Sequence, residues 1–237
     1  MRSLVLERLF LVAACLAVAV FAGRFLLQEA QGAQRAALDP ARVYLEASTK
    51  APQLPRPRSW ARQQMLLKEC DDLLASPFAR LSAPVAVERV VGACSDLASD
   101  VLGAAPTSSI AHLVHARALG LQNADDDALQ ALVKAWTFAK SEGWLAARRL
   151  RFGLALVGEG QPVDMLDTVL TADVLLVLGT SRYRSFLADI YETNPNLRGW
   201  LSDAMTEASD FEKRRFLEDV RERRQARVLN QQGASND

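Results

Sequence analysis

TSSIAHLVHARALGLQNADDDALQALVKAWTFAKSEGWLAARRLRF, residues 107–152, decides the fold class of this chain. Ile110, Leu113, Val114, Ala118 and Leu121 recur at three- and four-residue spacing, the period of one helix face. After the short polar turn 120–125 a second stripe follows, Ala128, Leu132, Ala135, Trp136 and Ala139. Thr107 or Ser108 is the expected cap of the first helix. Asn123 to Asp127 opens the second, with three aspartates where the helix N-terminus favours negative charge. Leu145, Leu150, Phe152 and Leu156 predict a third helix over 144–157, closed by Gly158-Glu-Gly160 and Pro162.

The same reading extends outward. Toward the C-terminus it predicts helices over 163–178, 181–191, 197–208 and 210–229, then a disordered tail over 230–237. The helix at 163–178 is the most apolar and is expected to be the most buried, although Asp173 interrupts it. Toward the N-terminus it predicts a helix over 59–75, with Trp60, Leu67, Cys70 and Leu74 inward and a stop at Ser76-Pro77. Another starts near Pro84, carries Val87, Val90, Cys94, Leu97 and Val101, and ends at Gly103. Pro52, Pro55 and Pro57 keep 49–57 out of regular helix. No strand or hairpin signal occurs. Half of the 237 residues are hydrophobic but only 7% are aromatic, so the core is mostly Ala, Leu and Val, which suits close-packed helices. The expected fold is all-α: an anchor over 1–28, a membrane-proximal helix and Pro-rich linker over 29–58, and a domain of antiparallel helix pairs over 59–229.

From Leu9 to Gly23 no charged residue occurs, and Arg2, Arg8 and Arg24 flank the run. Extended through Leu4–Leu6 and Phe25–Leu27, with Arg8 and Arg24 snorkelling, it reaches the roughly 20 residues of a transmembrane helix. An uncleaved single-pass anchor is the preferred reading. A cleaved signal peptide, with its site at 17–19 or 20–22, is the competitor. Val12-Ala-Ala-Cys15 looks like a lipobox, but the apolar run continues past the cysteine and Glu7-Arg8 interrupts what precedes it. The basic residues ahead of the run place the N-terminus in the cytoplasm and the bulk of the chain in the periplasm. Arg far outnumbers Lys and Ala is abundant, a bias of GC-rich bacterial coding.

With 28 basic and 28 acidic residues there is no global field to draw the chain to nucleic acid. The C-terminal run Lys213-Arg-Arg215 and Arg221-Glu-Arg-Arg224 is interleaved with acids: Asp210 is expected to reach Arg214, Asp219 to reach Arg223 and Glu218 to reach Arg221. No phosphate-binding Gly-rich loop, nucleophile elbow or Cys/His catalytic pairing is present, so no catalytic residue, cofactor or metal is assigned. Asp125–Asp127 lacks the Gly and distal Glu of a calcium loop. Cys70 and Cys94 lie on the inward stripes of successive helices. A Cys70–Cys94 disulfide in an oxidising compartment and two buried thiols both fit. The candidate ligand or partner surface is His112 and His115, at i, i+3 on one helix, with the basic group Arg148, Arg149 and Arg151. Two imidazoles could hold a metal and the arginines an acidic glycan or phosphate. Helix packing and a solvated face are the alternatives.

Ala116, Ala128 and Ala135 fall at the three small-residue positions of the tetratricopeptide pattern, and Leu119 and Leu132 at two of its bulky ones. The stretch resembles a degenerate tetratricopeptide repeat. It departs from that pattern at His112, where the family has Trp, and in lacking the Pro expected after Ala135. Ala105-Pro-Thr-Ser-Ser-Ile-Ala-His-Leu-Val-His-Ala-Arg-Ala-Leu119, with Ser141-Glu-Gly-Trp-Leu-Ala-Ala-Arg-Arg-Leu150 and the anchor and linker, is loosely similar to small membrane-anchored proteins of this type encoded in bacterial exopolysaccharide clusters. That resemblance implies a non-enzymatic, inner-membrane scaffold whose partners are envelope or polysaccharide-assembly proteins. It transfers no site residues, because the family pattern is a packing pattern.

Overall fold

A computed structural model of the chain describes residues 12–24, 39–158 and 164–234. It is all-helical, with 12 α-helices and no strand among the described residues. Helices stand at the positions expected between 59 and 191. The chain divides into two compact units, 1–93 and 94–237, with the division inside one helix.

The first unit begins with α1, residues 12–24. Its Val12, Leu16, Val18, Val20 and Phe21 are all exposed. Among the described residues no helix is long and apolar enough to cross a membrane. The rest of the expected span, at 4–11 and 25–27, lies outside the described residues. Helix α2 (Pro40–Ala47) starts as its sequence dictates, with Pro40 at the first position and the Asp39 carboxylate accepting from the Ala41 amide at 3.1 Å. Its C-terminal carbonyls are claimed by Arg89, which donates to Ala47 at 2.9 Å and Ser48 at 3.1 Å. The segment 51–57 is irregular, as its prolines require.

Helix α3 (Trp60–Ala75) buries Leu66, Leu67, Cys70, Leu73 and Leu74. Trp60 does not join them: at 47% exposure it stands on the outer surface at the helix start. A short helix, α4 (Phe78–Leu81), occupies what reads in sequence as a plain stop. Its Phe78 ring stacks on buried Tyr44, whose hydroxyl donates to the Leu73 carbonyl at 3.3 Å. Burial pushes the Tyr44 phenol up to about 12. Helix α5 (Pro84–Ala104) leaves the unit at Ala93. Val90, Cys94, Leu97 and Val101 are buried as the stripe requires, while Val87 is half-buried.

In the second unit α6 (Ser109–Leu121) and α7 (Asp125–Phe138) pack as an extensive helix pair. A three-residue connection makes them antiparallel. Asn123 enables it by adopting φ 60°, a left-handed position that Asn tolerates better than most residues. Ala111, Ala116, Ala128 and Ala135 have no exposure, so small side chains fill the buried surfaces of both helices. Ser108 stands at the N-cap but its hydroxyl does not cap α6. Instead Ser109 Oγ reaches across to the Ala135 carbonyl.

Helix α8 (Gly143–Val157) packs on α9 (Asp164–Leu178), and Gly153 is their contact point. A Cβ there would lie 2.6 Å from Leu170 Cδ2, so any larger residue would force the buried Leu170 side chain to shift. Helix α10 (Ser181–Thr193) follows. The helix expected over 197–208 is instead a 3₁₀ turn, Pro195–Leu197, leading into α11 (Arg198–Ala204). Asn194-Pro195 sets that turn. Trp200 ties α11 to α9 by donating its indole N–H to the Asp167 carboxylate. The last helix, α12 (Asp210–Ala234), opens with a reciprocal capping box: Ser209 N donates to Glu212 Oε2 at 2.9 Å, and Glu212 N donates to Ser209 Oγ at 3.3 Å. It runs to Ala234, past Leu229, so the expected disordered tail is helical over 230–234. Residues 235–237 lie outside the described residues.

Candidate functional site

The sequence offers His112, His115, Arg148, Arg149 and Arg151 as one ligand-facing group, and the fold separates them. Arg149 is the decisive case. It has no exposure and lies on the inward stripe of α8 beside Leu145, Ala146 and Leu150. Its guanidinium grips Asp173 of α9 in a two-point fork, Nη2 to Oδ1 at 2.6 Å and Nε to Oδ2 at 2.9 Å. Nη1 donates to the Ala139 carbonyl at 3.1 Å and reaches that of Ala135 at 3.5 Å. One side chain therefore holds α9 and also satisfies carbonyls at the C-terminal end of α7. Asp173 is fully buried too. Burial pushes its carboxyl above the ordinary value, and Arg149 opposes that shift. The expected solvated basic patch is corrected accordingly: Arg149 is a core residue, because Asp173 needs a charged partner wherever water is excluded.

The other two arginines stand apart from that node. Arg148 is half-buried, and its backbone carbonyl lies 3.5 Å from Arg117 Nη2. Arg151 is exposed and lays its guanidinium 4.9 Å from the ring centroid of Phe186 on α10. Arg117, which the sequence did not single out, is buried and stacks 4.9 Å above Phe152.

His112 sits in the α6–α7 seam. Its ring stacks on Phe138 at 5.4 Å between centroids, and Nε2 lies 2.8 Å from the Pro106 carbonyl, so that nitrogen carries the proton. Burial lowers its pKa, the Pro106 carbonyl resists, and the nearby charges of Lys134 and His115 lower it further. His112 is thus a neutral packing group. His115, one turn on, is half-buried, and its Nδ1 has no hydrogen-bond partner. The two imidazoles share a face. However, no group of three His, Cys, Asp or Glu able to hold a metal occurs among the described residues. The Asp125–Asp127 triplet occupies the first turn of α7, exposed, as the helix-start reading requires.

Cys70 and Cys94 are buried and both disulfide-bonded, whereas Cys15 is a free, exposed thiol.

The C-terminal charges are also rearranged. Asp219 does not turn to Arg223 but crosses to Arg184 of α10, with Nε–Oδ2 at 2.7 Å. Glu218 pairs with Arg215 rather than Arg221, at 3.2 Å. Arg224 reaches Glu192 at the end of α10, with Nη2–Oε1 at 2.7 Å. That bond holds the Glu192 carboxyl below its ordinary range. Long side chains on α12 reach a neighbouring helix as readily as their own next turn, and α10 presents both signs of charge.

No family model matches the chain, and no curated protein or solved structure is significantly similar to it.

Proposed function

We propose that this protein is a non-enzymatic, membrane-anchored scaffold facing the periplasm, with a degenerate tetratricopeptide-like domain that serves assembly or export of a cell-surface polysaccharide. The observation that carries the scaffold reading is the α6–α7 pair, in which Ala111, Ala116, Ala128 and Ala135 are fully buried. A tightly packed antiparallel helix pair is the kind of unit that stacks into helical repeat surfaces. The polar groups nearest to it are engaged in holding helices together. Arg149 and Asp173 are spent on each other, and His112 on Pro106 and Phe138.

Two further observations support the location. The large apolar side chains of α1 are exposed, and a bilayer is the environment in which such a surface is favourable. Cys70 and Cys94 are disulfide-bonded, the state that an oxidising compartment maintains. The polysaccharide pathway and the repeat family rest on the sequence resemblance.

An alkaline-phosphatase reporter fused after Leu229, combined with alkaline carbonate extraction, tests the anchor. Activity together with retention in the membrane pellet is expected, and an inactive reporter or a chain released by carbonate would overturn it. In-cell crosslinking from exposed positions of α7 such as Gln130 tests the scaffold. Recovery of polysaccharide-assembly proteins is expected, and crosslinks confined to unrelated envelope proteins refute the pathway.

A further inference from the structure

The partner exchange on α12 leaves a surface that the sequence conceals. At about 100° per residue, Arg214, Leu217, Arg221, Arg224 and Val228 fall within about 80° of arc on one side of the helix. All five are exposed. The buried residues Phe216 and Val220 lie on a different side, against the body of the unit. Glu218 and Glu222 fall on the flank beyond the stripe. Asp219 is committed to Arg184 and Glu218 to Arg215. Arg221 is thereby left without an ion pair among the described residues, Arg214 forms none with the exposed Asp210 that begins the same stripe, and Arg224 has one, with Glu192. The stripe interleaves three cations with two exposed aliphatic side chains.

We propose that this face of α12 docks on an anionic phospholipid surface. Charge complementarity supplies the attraction: unpaired guanidinium groups bind lipid phosphates in forked geometry, and each cation near an anionic bilayer adds to partitioning. Leu217 and Val228 favour a bilayer over a soluble polyanion, because aliphatic side chains gain by entering the acyl boundary and gain nothing from a hydrated polymer. The face is independent of the proposed anchor, and it would lay the C-terminal helix on the membrane rather than leave it projecting into solvent.

The test uses the full chain with Cys15→Ser and Val228→Cys, labelled at residue 228 with an environment-sensitive nitrobenzoxadiazole probe. The labelled chain is reconstituted with vesicles of phosphatidylcholine alone, or with about a third phosphatidylglycerol. The expected result is a blue-shifted, quencher-protected probe in the anionic vesicles only. Arg214→Gln with Arg221→Gln should lower the protected fraction by roughly tenfold or more, and high salt should abolish it. An unshifted probe in anionic vesicles, an equal shift in neutral ones, or a shift produced instead by soluble polyuronate would overturn the proposal. Co-flotation with the neutral vesicles reports the anchor separately, so the failure of one reading is distinguishable from that of the other.

Discussion

Replacing Arg149 with Met removes the fork to Asp173 and the bonds to the Ala139 and Ala135 carbonyls, while keeping a long apolar stem in place. Asp173 is then left with no exposure and no charge partner. Breaking one side of a buried pair typically costs about 3–5 kcal/mol. Set against a total stability of about 5–15 kcal/mol, that is a fifth or more of what holds a domain together. The double replacement Arg149→Met with Asp173→Leu removes both charges and should recover most of the loss, to within about 1–2 kcal/mol of the parent. Trp136, Trp144 and Trp200 all lie in the second unit, so tryptophan fluorescence in a Trp60→Phe background reports its denaturant unfolding. The pH dependence gives a second handle. Burial already raises the Asp173 carboxyl, and losing Arg149 removes the two influences that lower it. The folded state then binds a proton that the unfolded state releases, so in the window above 3.8 stability falls as pH rises. The Arg149→Met defect should therefore be largest at neutral pH and shrink on acidification. A single replacement costing under about 1 kcal/mol, or a double as damaged as the single, would refute the account of Arg149 as the core's charge partner.

Three further outcomes follow from the packing. Gly153→Ala places a methyl 2.6 Å from Leu170 Cδ2 and should destabilise by about 1–3 kcal/mol, whereas Gly92→Ala meets nothing within 4 Å and should stabilise by about 0.4–1 kcal/mol. Paired thermal melts check this, and a neutral Gly153→Ala would show that α8 and α9 can separate freely. The His112 imidazole should titrate below 6.5 in an NMR pH series. Its stabilising contribution is fully present above 6.5 and is lost as pH falls through the lowered value, so a midpoint at or above 6.5 contradicts its packing role. Under denaturing, non-reducing conditions a maleimide should label Cys15 alone, and Cys70 and Cys94 only after reduction; three labelled thiols before reduction would contradict the linkage.

The helices were legible because their apolar stripes follow one period and their ends carry Pro, Gly and Asp. The polar core was harder to see, yet the signal existed. Arg149 lies four residues beyond Leu145 and Asp173 four beyond Val169, so each falls on an inward stripe. Grouping Arg149 with its sequence neighbours Arg148 and Arg151 hid that spacing. The capping box at Ser209 and Glu212 could likewise have been read from its Ser-x-x-Glu pattern. The choice between Arg184 and Arg223 for Asp219 could not, since it depends on which helix α12 lies against. Trp60 was misplaced because helical period alone does not say whether the first turn reaches the core.

The two ends of α12 are held unequally, and this sets the order in which the unit opens. Its first turn is closed by the capping box, and Glu212 Oε1 lies only 3.1 Å from where a Cβ on Gly179 would stand. Among the described residues Phe216 and Val220 are its last buried apolar side chains, and beyond them Arg224 and Arg227 bond back, to Glu192. The helix should therefore unzip from its C-terminal end while its start stays seated. Amide exchange would quicken along the helix from Val220 toward Val228, and raising the ionic strength would move that fraying front inward as far as the Arg184–Asp219 bond.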